Sequence, residues 1–452
     1  MHCRRLLSMG LAGILTLGTL SACAPGSGEA PTGGETKAPQ DLKTDAATMG
    51  DLELVVWDQE VRGSQNDALV ALNKAFQENY PNIKIKRKSQ SNDDLQQQIS
   101  LALSGNDVPD VAQVNNARGD MGKYVEAHQL VDMTPYAKAY GWEQRFSDSV
   151  LSKVRYSADG KTFGEGNLYG LPQTGEVVGL FFSKKKLAAL GANPPVSWDE
   201  YFAILDKAKA VGEQPMVLGN IDKWPALHVF GPLQAHYVSA DEITKLGMGN
   251  KGGDWKSEGN VKAMTQFATW GRNGYFGSSP NGTDYDPAWT DFGKGTGVFL
   301  PAGSWVGTDL QAAMGDDLGF IAPPPGLDGK LATTGGTGIP FAIPAKAKHA
   351  DAAAAYINFI TSDDAMKIIA ENGGMPVNKT AELAPKSGVQ KEIFEAFDKV
   401  SKEGVLLPYL DYATPSFADT AGQGLQEVLG GQKPPEDVLN EFQADYSKFV
   451  GQ

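Results

Sequence analysis

The chain has 452 residues, 41% hydrophobic and 21% charged, a balance that excludes a disordered chain, a collagen and a multi-span membrane protein. Its 40 Lys and Arg against 54 Asp and Glu leave a formal charge of −14, which argues against binding nucleic acid through phosphates. Only Cys3 and Cys23 are present, so the body beyond them is expected to hold no disulfide, no thiolate metal site and no cysteine nucleophile.

Met1-His2-Cys3-Arg4-Arg5 is a short basic start, and Leu6 to Leu20 is apolar enough for a signal-peptide core but short for a membrane span. Leu20-Ser21-Ala22-Cys23 resembles the lipobox of bacterial lipoproteins, which implies removal of residues 1–22 and a diacylglyceryl group on Cys23. The Arg4-Arg5 pair leaves both Sec and twin-arginine export open. Residues 24–50, rich in Gly, Pro, Ala, Thr and Ser without periodicity, read as a flexible tether. The expected location is extracytoplasmic, anchored by lipid to the outer face of the cell membrane.

In the body, Leu52 to Trp57 reads as a strand, and 65–80 as an amphipathic helix through Leu69, Leu72, Phe76 and Tyr80, stopped by Pro81. Ile83 and Ile85 alternate with lysines as a second strand. Ser91 and Asp94 offer a capping box for a helix carrying Leu95, Ile99 and Leu103. Gly105 ends that helix, and Pro109 to Val114 begins a third strand. This βαβαβ order predicts a parallel sheet with helices on its faces and a ligand beyond the carboxyl ends of its strands, at Trp57-Asp58-Gln59 and Gln113 to Arg118. Further along come an apolar strand flanked by loops within 169–185, a helix capped by Ser197 and Glu200, a helix at 261–270, and short strands at 297–300 and 318–321. Helices at 350–361, 389–400 and 434–450 close the chain, and Pro323-Pro324-Pro325-Gly326 is a candidate crossing between lobes.

The segment Leu171-Pro172 to Lys184, with Gly175, Leu180, Phe181, Phe182 and Ser183, resembles the central signature of carbohydrate-binding proteins of bacterial ABC importers, relatives of maltodextrin-binding protein. So do the strand–helix unit ending in Trp57, the Gly105 to Val111 stretch, Ser197-Trp198-Asp199-Glu200, Gly303-Ser304-Trp305, Gly335-Gly336 and Gly373-Gly374-Met375-Pro376-Val377. Together these cover about 51–450, in order. The resemblance implies an α/β, periplasmic-binding-protein type II fold: two α/β lobes with a ligand cleft between them. It places 51–171 plus about 324–365 in lobe 1, and about 172–323 plus 366–452 in lobe 2. The expected function is capture of a neutral sugar, an oligosaccharide by preference, and its delivery to membrane ABC permease subunits. Such a protein is expected to be a monomer, with no catalytic residue, cofactor, metal or nucleic acid.

A pyranose offers an apolar face for aromatic stacking and a hydroxyl rim for carboxylates, amides and guanidinium groups. Trp224 and Trp305 align with stacking positions of the family, Arg62 with a cation near the site, and Glu176 with a carboxylate near the hinge. Trp57, Asp58 and Gln59 end the first strand, Gln113 and Asn115 the third, and Gly335 and Gly336 offer close backbone approach. For Asp58, Arg62 and Glu176 the competing reading is a solvated surface charge; for the two glycines it is a tight turn. Trp289, Asn372 and Tyr412 are further candidates, whereas Trp198 and Trp270 read as core and Trp142 and Trp255 carry no placing pattern.

Val114 and Asn115-Asn116 stand where maltodextrin binders carry an aromatic, and Phe417-Ala418 where they carry a last stacking ring. A linear maltodextrin is therefore not the expected ligand. Gly247-x-Gly249-x-x-Gly252 lacks the strand and helix of a dinucleotide site, and Ser183-x-x-Lys186 lacks its partner motifs. The rival readings are a binder of a polyol or glycerophosphodiester, and a lipid-anchored glycoside hydrolase pairing Glu176 with Asp58 or Asp284.

Overall fold

The computed structural model describes residues 41–451, so the signal segment, Cys3, Cys23 and most of the tether lie outside the described residues. Two sheets organise these residues. In the first lobe, Leu52–Asp58 (β1) pairs in parallel with Ile83–Ser89 (β2) and Val111–Gln113 (β3). Arg155–Tyr156 (β4) and Asn167–Leu168 (β5) form a separate small ribbon. In the second lobe, Gly175–Ser183 (β6) is the central strand, flanked by Phe299–Gly303 (β7), Leu318–Ile321 (β8) and Ala332–Thr337 (β9), all antiparallel to it. Phe341–Ala342 (β10) returns to the edge of the first sheet beside β3, and Val405–Leu407 (β11) lies parallel to β9.

The expected opening is present. The helix Gly63–Asn79 buries Leu69, Leu72 and Phe76 against Leu54, Val56, Ile83 and Val111 of the first sheet. Ser91 caps the helix Asn92–Ser104 by accepting from the Asp94 N–H at 3.2 Å, and Leu95, Ile99 and Leu103 face inward. In the second lobe, Ser197 caps Trp198–Ala210, and the Glu200 carboxylate reaches back to the Val196 N–H at 2.9 Å. Trp198, Trp255 and Trp270 join one second-lobe core, while Trp142 is fully buried in the first.

Four expectations need correction. The tether stops short of residue 50: Ala46 is buried, Leu42 and Met49 pack beside it, and the Asn82 amide donates to the Ala46 and Gly50 carbonyls. Apolar side chains at three- and four-residue spacing give this segment a face to bury. Pro323 to Gly326 is no crossing, because the strands on both sides of it belong to the second sheet, and Leu327 donates to the Ala235 carbonyl of that lobe. The stretch from about 324 is therefore with the second lobe as far as Thr337, since β9 pairs with β6. The helix Asp363–Glu371 belongs to the first lobe, where Ala365, Met366 and Ile369 are buried.

The chain passes between the lobes along three adjacent segments. Leu171 and Phe341 exchange backbone hydrogen bonds, Gly338 donates to Thr174, Gly175 to Met375, and Val377 to Gln173. Among the described residues no helix is long and apolar enough to cross a membrane.

Candidate functional site

A cavity of about 260 Å³ lies where the two lobes face each other. Gln59, Arg62, Asn115, Glu176, Trp224 and Trp305 line it. The other sequence candidates, Trp57, Asp58, Gln113, Gly335 and Gly336, do not.

The second-lobe wall is aromatic. Trp224 precedes the helix Pro225–Tyr237, whose Pro225 stands at the first turn, where a missing N–H costs nothing. The loop before it is pinned through Asn220, whose side chain accepts from Ala226 N–H at 2.9 Å and donates to Asn281 at 3.0 Å. Trp305 sits in the short turn Ser304–Val306 after β7, and its indole N–H donates to the Tyr285 hydroxyl at 2.8 Å. Its ring covers Gly303 so closely that a Cβ there would lie 2.0 Å from a ring carbon. The Trp224 ring centroid is 4.5 Å from Tyr285 and 6.4 Å from Trp305, and His228 lies 5.3 Å from Trp305 and 5.6 Å from Tyr409. Burial pulls the His228 imidazole down to about 3, so it is neutral.

The first-lobe wall is polar. Arg62 reaches across to Asp286 of the second lobe, with Nη2 3.0 Å from Oδ1, and its guanidinium lies 5.6 Å from the Tyr285 ring centre. Asp58 is fully buried behind this wall, where Arg87 grips it at 2.7 Å and the Glu60 N–H and Ser89 hydroxyl donate to it. It is a structural ion pair because β1 alternates, which turns Leu54, Val56 and Asp58 to the same buried side. Trp57 points to the opposite side, with the Lys88 ammonium 4.2 Å above its ring. Gln113 is likewise committed, donating to Glu60 at 2.7 Å and to Ile339 O while accepting from the Gln59 N–H. Gly335 allows β9 to approach β6, since a Cβ would lie 2.6 Å from the Glu176 carbonyl oxygen, and Gly336 has a φ of +143°. Neither faces the cavity. Trp289 and Asn372 are also outside the lining, bonded to Asp286 and to Ile368 O, and Phe417 is core beside Trp255.

Sequence reasoning missed much of the acidic lining. Asp93, Asp120, Asp222, Asp411 and Asp419 join Glu176 on the wall, with Lys223, His228, Thr337 and Tyr409. Tyr412, a further candidate above, lines the cavity as well, and its hydroxyl donates to Asn116 at 2.7 Å. Adjacency was the available signal for some: Asp222 and Lys223 precede Trp224, and Asp411 precedes Tyr412. Nothing local marks Asp120 or Tyr409.

Burial raises the Glu60, Glu176 and Asp120 carboxyls to about 7, helped by the neighbouring charges of Asp58, Glu60 and Asp411 respectively. Burial also raises Asp93 and Asp411 to about 6, with Asp222 adding to the Asp93 shift. These groups bind protons more tightly folded than unfolded, so their contribution to stability is complete below the ordinary carboxylate range and is lost as pH rises through about 6 to 7. The thermal midpoint of the ligand-free protein is expected to fall between about pH 5 and pH 8. A pH series of melting curves checks this, and a midpoint that climbs across the interval contradicts it.

Two α/β lobes joined by three adjacent segments, with a polar and aromatic cavity between them, define a two-lobed solute-binding protein. The family model described as bacterial extracellular solute-binding protein matches residues 71–395, and the chain belongs to that family. It is 25% identical over 421 residues to an uncharacterised ABC transporter extracellular-binding protein of Pyrococcus horikoshii, covering 90% of this chain and 88% of that one. It is also 25% identical over 312 residues to the multiple sugar-binding protein of Streptococcus mutans, covering 67% and 70%. Among solved structures, a chitin oligosaccharide binding protein superposes with a TM-score of 0.74 at 21% identity, over 88% of this chain and 99% of that one.

Proposed function

We propose that this protein captures a saccharide between its lobes and presents it to the permease subunits of an ABC importer, held at the membrane surface by a lipid on Cys23. The observation that carries this reading is the pairing of Trp224, Trp305 and Tyr409 on one wall with Asn115, Gln59 and Glu176 around them. Aromatic faces bind the C–H face of a pyranose, and the amides and carboxylate bind its rim. A multiple sugar-binding protein among the relatives and a chitin oligosaccharide binding protein among the solved structures of like fold support it. Ligand contact with both walls favours the closed arrangement over an open one, which is all that closure requires.

Neither rival gains an observation. Arg62 is engaged by Asp286, so a phosphate would meet more carboxylates than free cations. Asp58 is held by Arg87 away from the cavity and Asp284 does not line it, so neither partner proposed for Glu176 supports a catalytic pair. The test is thermal unfolding of residues 24–452, which keep the packed segment around Ala46, against a panel of mono- and oligosaccharides, with each sugar checked for hydrolysis. One related set of intact sugars should raise the midpoint; at a hundred times Kd a ligand adds about 2.7 kcal/mol. No shift with any sugar overturns the reading, and released reducing ends would replace it with a hydrolase.

A further inference from the structure

The cavity wall carries six carboxylates, Asp93, Asp120, Glu176, Asp222, Asp411 and Asp419, against two cations, Arg62 and Lys223. Arg62 is already bound to Asp286 at 3.0 Å, and among the described residues none of the six forms an ion pair within 4.0 Å. The six come from both lobes: Asp93 and Asp120 from the first, the others from the second. They do not gather as a cation cage, since no group of three or more among the described residues is placed to hold a metal ion. Alongside them, the lining residues His228 and Thr337, only 7% and 5% exposed, each hold a buried polar atom, Nδ1 and Oγ1, without a hydrogen-bond partner. Trp224 Nε1 is a third unpartnered polar atom of the lining.

These two sets of groups call for different chemistry. Carboxylates without a counter-ion, five of them half-buried and Asp419 exposed, repel one another and any anionic ligand, and a cation relieves them. Buried donors and acceptors without partners call for a ligand rich in hydroxyls. We infer that the ligand is a saccharide bearing free amino groups, with ammonium groups set against the Asp120, Asp411 and Asp419 side of the cleft and hydroxyls meeting His228, Thr337 and Trp224. This rests on the saccharide reading above and narrows it. Burial raises the proton affinity of five of the six, and for Asp93, Asp120, Glu176 and Asp222 a neighbouring carboxylate adds to it, a repulsion that a bound ammonium group would relieve.

The experiment is calorimetric titration of the protein with oligosaccharides of matched length and linkage in three forms: free amine, N-acetylated and hydroxyl. The tightest ligand should be an amine form, about tenfold tighter than its N-acetylated counterpart at low salt, with that advantage shrinking as salt rises. Asp120→Asn and Asp411→Asn should each narrow the amine advantage, with circular dichroism confirming the fold. If the tightest ligand is a neutral or acetylated sugar, the inference fails while the saccharide reading stands. If no form of any sugar binds, both fail. If a linear polyamine binds as tightly as the amino sugars, charge alone is read and the saccharide part is overturned.

Discussion

Asp58→Ala is expected to destabilise the folded chain by about 3–5 kcal/mol, because it leaves the Arg87 guanidinium in the lobe wall without its counter-ion. Asp58 is fully buried and Arg87 is 15% exposed, with two contacts of 2.7 Å between them. The same carboxylate accepts from the Glu60 N–H at 3.0 Å and from the Ser89 hydroxyl at 3.0 Å, so it ties together the ends of β1 and β2. Chemical denaturation of the variant and the parent measures the effect. A loss below about 1 kcal/mol would place Asp58 among exposed pairs, whose contribution is small. Sugar affinity, measured under conditions where the variant is folded, separates the two roles that the sequence left open. A structural Asp58 shifts the unfolding midpoint far more than the affinity of the folded fraction, whereas a ligand contact would do the reverse.

Trp305→Ala should weaken sugar binding by about 1–3 kcal/mol, roughly fivefold to 150-fold in Kd, through lost stacking and packing. Its ring lies against Gly303, its N–H is held by Tyr285, and Trp224 and His228 flank it, so it is a fixed platform with little freedom to lose on binding. Trp305→Phe keeps an aromatic face and forfeits only the bond to Tyr285, and it should fall between the parent and the alanine variant. Titration calorimetry with the best sugar of the panel reads all three. Equal affinity in Trp305→Ala and the parent would remove this residue from the site.

Much of the fold was legible because its signals are local. The periodic apolar residues of 65–80, the caps at Ser91 and Ser197 and the alternation in β2 each depend on residues a few positions apart. Trp224 and Trp305 were also legible, through the motifs around them. The lobe boundaries were not, since which sheet receives the strand at 332–337 depends on its pairing with β6, over 150 positions away. Asp58 and Gln113 misled for the same reason. A polar residue at the end of a strand reads alike whether it meets ligand or a buried arginine, and the arginine here stands 29 positions on.

By itself the sequence determined the class of this protein: its helices and strands, the acidic balance, the motif order of a solute-binding protein, and two of the aromatic rings at its cleft. Only the tertiary structure decided the composition of that cleft. Asp93 and Asp120 come from one lobe and Asp411 and Asp419 from the other, and each alone is an ordinary acidic residue in a helix or turn. Their shared charge exists only when the lobes bring them to one cavity, because Coulomb repulsion and burial depend on distance in space and not along the chain.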